Sequence, residues 1–276
     1  MDLSRAKYIL PNLFTLSSIY AGIYSIHLSV NANSVQEMTL AAWLIVVAMV
    51  CDAFDGRVAR MTKTESEFGV QMDSLADAIS FGVAPAFLLY AWGMSTLGGL
   101  GLFFGFVFAA CAVMRLARFN VMANTHAGVM KYFLGLPTPL AAGAVVAVVL
   151  AHVGWTDRIT TGAAWSVAAM CVLLGGLMVS NVRYRTFKDV NFRGRAGLLL
   201  MSLLAVTFYV SVALKPEFAL VLLMFAYIII GVGGGIVSVG KHLFGQQAVE
   251  DLFGPDLEDI LLADLDDHEK DEGFGA

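Results

Sequence analysis

Charge is scarce in this chain: Asp, Glu, Lys and Arg make up 14% of its 276 residues, against about one-quarter in ordinary soluble domains. That shortage leaves no stretch able to form a solvated domain of any size, and nucleic acid is not an expected partner. Cysteine is scarcer still. Cys51, Cys111 and Cys171 are odd in number, each lies in an apolar stretch and none shows CxxC spacing, which argues against a thiolate zinc site and leaves them as reduced packing residues. The histidines, His27, His126, His152, His242 and His268, have no partner at ligand spacing. A clear small-residue cleavage site is also missing after the apolar run that follows Arg5 and Lys7, so the N-terminus reads as a retained helix instead of a signal peptide.

What the chain has in abundance is apolar residues, 58% of the total. Runs of about 18 or more can cross a hydrocarbon core roughly 30 Å thick. Eight candidates can be counted, near 9–30, 38–58, 72–93, 98–118, 137–153, 161–181, 196–214 and 217–240. They are continuously apolar instead of alternating, which favours helices over barrel strands. The sequence thus predicts an all-α integral membrane protein with about eight transmembrane helices and both termini cytoplasmic. With that count, fifteen of the Lys and Arg residues fall on the inner side and only Arg158 and Lys215 on the outer, as the inward bias of basic residues demands.

The formal net charge of −5 conceals a division. Residues 250–276 hold eleven of the 22 acids against one base, Lys270, so residues 1–249 carry +5. The expected organisation is a transmembrane domain over 1–245 and an acidic cytoplasmic tail over 246–276. Within the tail, Leu257, Ile260, Leu261 and Leu265 sit at helical spacing among the acids. A weak amphipathic helix that meets a protein partner competes there with a solvated tail. Small residues recur in the body, as at Gly101 and Gly105 or Gly175 and Gly176, and serve either packing within the chain or a dimer.

Residues 52–77 read DAFDGRVARMTKTESEFGVQMDSLAD. Asp52 and Asp55 are i, i+3 neighbours, with Gly56, Ala59 and Arg60 continuing that side; Gly69, Asp73 and Asp77 are spaced i, i+4, i+8. Two antiparallel helices would therefore present facing stripes of two acids each. Four carboxylates facing one another at membrane depth repel strongly. Hard divalent cations, Mg²⁺ or Mn²⁺, suit such oxygens, and two ions can clamp the attacking and leaving oxygens of a phosphoryl displacement. Arg60 offers a fork for phosphate oxygens, while Gly56, Ala59 and Gly69 leave room for a flat base or a diphosphate against the helix backbone. Salt bridges between helices are the competing use of these charges, but Arg60 alone would leave most of the acids without a partner.

The pattern Asp52-x2-Asp55-Gly56-x2-Ala59-Arg60-x8-Gly69-x3-Asp73-x3-Asp77 resembles the signature of the CDP-alcohol phosphatidyltransferase family at every position. The resemblance implies a helical membrane fold, a dinuclear site, a homodimer and release of CMP. It implies that Asp52, Asp55, Asp73 and Asp77 ligate metal and that Asp77 doubles as general base. Gly56, Ala59 and Gly69 would border the cytidine nucleotide and Arg60 its diphosphate. Asn12 and Thr15, i, i+3 after Pro11, would donate to the diphosphate, with helix capping and back-bonding as competing uses. LPNLFTLSS at 10–18, RLARFN at 115–120 and YFLGLPTPLAAG at 132–143 resemble the serine-using branch of the family. That implies CDP-diacylglycerol and L-serine as substrates; the inward bias of the basic residues turns the active site to the cytoplasm, in what is expected to be the plasma (inner) membrane of a bacterium.

Arg115, Arg118 and Lys131 could hold the carboxylate of such an acceptor, and Asn120 could orient it; the inward bias of basic residues and helix capping explain the same residues equally well. Gly135, Pro137 and Pro139 break the backbone before the fifth span, either as a bend lining the substrate cavity or as a helix start. Two other functions compete with serine transfer: the same chemistry with glycerol 3-phosphate or inositol, and a divalent-cation transporter.

Overall fold

Continuously apolar segments can satisfy their backbone groups in hydrocarbon only as helices, and the computed structural model of the chain is built from them. It describes residues 3–62, 64, 66–125, 132–181 and 183–185, together with positions 224 and 228. Among the described residues six helices follow in order: α1 (Leu3–Asn31), α2 (Val35–Thr62), α3 (Glu67–Leu97), α4 (Gly99–Thr125), α5 (Thr138–Thr156) and α6 (Ala164–Val179). The first five are long and apolar enough to cross a membrane once α1 is counted from Asn12, whereas α6 is shorter. The chain is therefore an integral membrane protein of helices. Apart from positions 224 and 228, the expected spans at 196–214 and 217–240 and the acidic tail lie outside the described residues.

The sequence reading did not foresee one departure from an all-α fold. Tyr132–Leu134 (β1) and Arg183–Arg185 (β2) pair as two short antiparallel strands, with Phe133 opposite Tyr184. They belong to a unit separate from the six helices. The prolines at 137 and 139 open α5 from Gly135, whose φ is 78°; of the two uses foreseen for them, the helix start is the one adopted.

Within the helical unit, α1 packs most extensively on α2, and α3 lies between α1 and α4, packing on both; α4 also packs on α6 and α2 on α5. The interior is filled by Met38, Ala41 and Ile45 of α2, Phe81 and Leu88 of α3, and Val145 and Leu150 of α5. Large apolar side chains on the outer faces, among them Leu13, Tyr20, Val47, Phe103 and Phe106, stay exposed. In a bilayer these face lipid, so their exposure carries no cost. Of the described bases from α2 to α6, Arg57, Arg60, Arg115 and Arg118 lie at the end where α2 stops and α3 begins, while Arg158 follows α5 at the other end, where Trp92 donates to His152 at 3.0 Å.

The buried face of α1 is made of Thr15, Ser18, Ala21, Gly22, Ser25 and Ser29. Small side chains let helix backbones approach closely where hydrocarbon supplies no driving force between helices. Ser25 uses that approach to donate to the Ala41 carbonyl of α2 at 2.7 Å. Gly101 and Gly105 act likewise within the chain, since a Cβ on the first would collide with the Met94 carbonyl and one on the second would stand 3.4 Å from that of Ala86. Packing inside one chain accounts for both. Replacing Ser25 by Ala should lower thermal stability in detergent by roughly 1 kcal/mol, the usual worth of a hydrogen bond between membrane helices. Ser25→Leu, which pushes α1 off α2, should cost clearly more; equal melting of the two variants would mean that close approach is not what Ser25 provides.

Candidate active site

The site forms where α2 ends and α3 begins. Past its apolar stretch α2 continues through Asp52–Arg60 and stops at Thr62, where the Thr64 N–H turns back to the Ala59 carbonyl at 3.0 Å. Ser66 then adopts extended backbone and accepts the Gly69 N–H on its hydroxyl at 3.1 Å. This N-cap satisfies one of the orphan donors of α3 and fixes where the helix starts. Asp73 and Asp77 follow one turn apart on α3.

Asp52, Asp55 and Asp73 each offer an oxygen within 4.8 Å of the others. Asp52 also faces Asp77. Asp55 is buried, and the Thr15 hydroxyl of α1 donates to its Oδ2 at 2.8 Å. The Oδ1 of Asp77 is buried and accepts no hydrogen bond among the described residues. At an effective dielectric of about 20, two carboxylates roughly 4 Å apart repel by about 4 kcal/mol. A hydroxyl hydrogen bond returns only about 1 kcal/mol. The array is therefore stable only with counter-charge or bound protons, and a set of carboxylate oxygens with no thiol or imidazole among them fits a hard divalent cation. The orphaned Asp77 oxygen fits the same picture, since buried acceptors are ordinarily satisfied.

Beside the acids lies a cavity of about 780 Å³. Asp55 and Asp73 line it, and so do all six residues expected at a nucleotide diphosphate: Asn12, Thr15, Gly56, Ala59, Arg60 and Gly69. Its volume falls in the range usual for small-molecule sites, about 300–1,000 Å³. The Arg60 guanidinium lies over Gly56, where an added Cβ would meet its Nη1 at 3.6 Å. Gly56 therefore leaves room that a methyl group could fill without forcing the protein apart.

The residues expected at an acceptor lie elsewhere. Arg115 is buried and donates from Nη1 to the Thr138 hydroxyl at 2.8 Å, tying α4 to the start of α5. Arg118 reaches the Val179 carbonyl at the end of α6 at 3.3 Å. Asn120 donates to the Ser74 hydroxyl at 2.8 Å, which places it next to Asp73 on α3. None of the three lines the cavity, nor do Gly135, Pro137 and Pro139; Lys131 lies outside the described residues. Thr64, Ser66, Glu67, Phe68 and Val70 do line it and were not foreseen. Only Ser66 left a signal, as a cap residue three positions before Gly69.

Comparison with known proteins places these features in a wider group. The profile of the CDP-alcohol phosphatidyltransferase family matches residues 8–175. A CDP-diacylglycerol–serine O-phosphatidyltransferase of Helicobacter pylori (strain J99) is 37% identical over 245 residues, 87% of this chain and 96% of the relative. One from Mycobacterium leprae is 32% identical over 228 residues, 80% of this chain and 72% of the relative. An archaetidylserine synthase of Methanothermobacter thermautotrophicus is 34% identical over 177 residues, 63% and 69% of the two chains.

The repulsion among the acids generates a two-signed prediction. With divalent ions removed by a chelator, Asp52→Asn should melt at a higher temperature than the unaltered protein, because one repulsive partner is gone. With Mn²⁺ added, the unaltered protein should gain stability, by about 2.7 kcal/mol at an ion concentration 100 times the Kd, and the variant should gain much less. Equal Mn²⁺ stabilisation of both would show that Asp52 takes no part in holding a cation.

Proposed function

This chain belongs to the CDP-alcohol phosphatidyltransferase family, and from that premise we propose that it transfers the phosphatidyl group of CDP-diacylglycerol to L-serine, yielding phosphatidylserine and CMP. One observation carries the reading: Asp55, Asp73, the arginine and the small residues of the family motif line one cavity at one end of a membrane-spanning bundle, with Asp52 clustered beside them. The names of its relatives, which cover most of the chain, support serine as acceptor. A transporter would need acids distributed through the depth of the membrane, whereas here they gather within 4.8 Å.

In this reading the acyl chains of the CDP-lipid stay in the bilayer and its cytidine diphosphate enters the cavity. Gly56, Ala59 and Gly69 accept the nucleotide against bare helix surface. Arg60, Asn12 and the Thr15 hydroxyl face the diphosphate. Asp52, Asp55, Asp73 and Asp77 would hold Mg²⁺ or Mn²⁺, two ions in all, whose charge would offset that of the diphosphate and of the leaving group. Asp77, with its unsatisfied buried oxygen, takes the proton of the serine hydroxyl as that oxygen bonds to the phosphorus bearing the lipid; the bond from that phosphorus to CMP breaks. Arg115, Arg118 and Asn120 border the end of the bundle where serine would arrive, and they hold helices together there; Lys131 remains a candidate for the same acceptor by sequence alone. The bases gathered at this end support a location at the cytoplasmic face of a bacterial plasma membrane, which is where we put the site. The homodimer rests on the resemblance to the family, and the acidic segment 246–276 is a separate cytoplasmic tail.

Purified protein incubated with CDP-diacylglycerol and serine, glycerol 3-phosphate or inositol in turn should release CMP and form lipid product only with serine. Product from another alcohol in preference to serine would overturn the acceptor. Asp77→Asn should lower turnover by about 10²–10⁴, the usual contribution of a positioned base, and near-normal turnover would remove Asp77 from that role. Gly56→Ala should raise the KM for CDP-diacylglycerol several-fold with thermal stability unchanged, because the methyl group fills ligand space and meets no protein atom closer than 3.6 Å.

A further inference from the structure

Immediately after Asp77, helix α3 leaves α-helical bonding. Ala78–Val83 forms a π-helical turn, in which the Ala84 N–H reaches back to the Ile79 carbonyl. Pro85, which has no N–H to give, follows as the α-helix resumes. A π-turn inserts one residue, so the part of the helix before it is rotated by about 100° relative to the part beyond. Such turns are rare and poorly bonded, and they persist where surrounding structure fixes them.

Here the fixing contacts come from α1. Ser80, fully buried, donates its hydroxyl to the Ser18 carbonyl at 3.0 Å and accepts the Ser18 hydroxyl at 3.2 Å. Gly22, one turn further along α1, lies against the same residue: a Cβ there would stand 2.9 Å from the Ser80 Oγ and 3.0 Å from its Cα. Two hydrogen bonds and one backbone-distance contact thus converge on a single residue inside the turn, three positions after Asp77. None of Ser18, Gly22 and Ser80 lines the cavity, and the chemistry proposed above uses none of them. Thr15, the donor to Asp55, lies on the same face of α1 at i, i+3 from Ser18. One face of one helix therefore reaches Asp55 of one acidic stripe and the turn that follows the other.

We propose that Ser80, locked by Ser18 and Gly22, is a positioning residue that holds the π-turn and thereby aims the Asp77 carboxylate at the other acids. Without the lock, Ala78–Val83 is free to revert to α-helical bonding, which turns Asp77 away from Asp52 while the remainder of α3 stays packed. The inference deepens the reading of Asp77 and rests on it.

The test uses the full chain in detergent with Mn²⁺ as probe, its Kd measured by electron paramagnetic resonance without lipid or serine. Ser80→Ala should raise the Mn²⁺ Kd and lower kcat by about 10-fold or more, the loss usual when an outer partner of a metal ligand is removed. The KM for CDP-diacylglycerol should stay unchanged, since the cavity lining is untouched. Ser18→Ala, which leaves the carbonyl acceptor in place, should show a milder form of the same losses and serves if Ser80→Ala does not fold. In an Asp77→Asn background, Ser80→Ala should leave the Mn²⁺ Kd where Asp77→Asn alone sets it, because the orientation of Asp77 can be lost only once. An unchanged Kd in both serine variants, or an equal loss with and without Asp77, overturns the proposal; so does an Asp77→Asn variant that binds Mn²⁺ as tightly as the unaltered protein. Near-normal turnover of Asp77→Asn sinks the general-base reading instead, and the Mn²⁺ comparison then judges the positioning role by itself.

Discussion

Mutual repulsion among carboxylates governs the architecture of this protein. Asp52, Asp55 and Asp73 lie within 4.8 Å of one another, with Asp77 facing Asp52. Left to themselves the two helices that carry them would separate or rotate until the charges met water. Several devices resist this: the Ser66 cap fixing the start of α3, the Thr15 hydroxyl on Asp55, and the close packing of α1 on α2. The array is a held geometry suited to positive charge, and the surrounding bundle supplies the stiffness.

The acids themselves were the most legible part of the sequence, because helical spacing converts directly into a shared face. Asp52 with Asp55 and Asp73 with Asp77 needed no tertiary information, and Gly56, Ala59, Arg60 and Gly69 followed from the same arithmetic. Helix ends were less legible. The second and third spans were expected near 38–58 and 72–93, whereas the helices run Val35–Thr62 and Glu67–Leu97. Hydropathy marks where hydrocarbon stops, but a helix continues until its backbone is capped, and here that extension carries half the site.

Other features could not be read, for reasons that differ. Arg115 was open to two uses, acceptor binding or an inner-end base, and its bond to Thr138 inside the bundle could not be read, because a lone sequence position does not reveal its partner 23 residues away. The pairing of residues 132–134 with 183–185 is likewise non-local and rests on segments too short to show a pattern. The π-turn at Ala78–Val83 depends on α1, 62 residues away at the Ser18–Ser80 bond, and its own residues look like ordinary membrane helix. The small face of α1 was visible letter by letter but silent as a pattern, since serine and glycine in an apolar run dilute the hydrophobic signal.

That dilution has a physical consequence. The best window of α1 has a mean hydropathy of 1.3, the lowest of the five long helices, against 2.1 for α4. A segment with hydroxyls along one side partitions weakly into lipid when alone. Its residence in the bilayer must come largely from neighbours that receive those hydroxyls, so membrane integration of α1 and assembly of the acidic site are two descriptions of the same event.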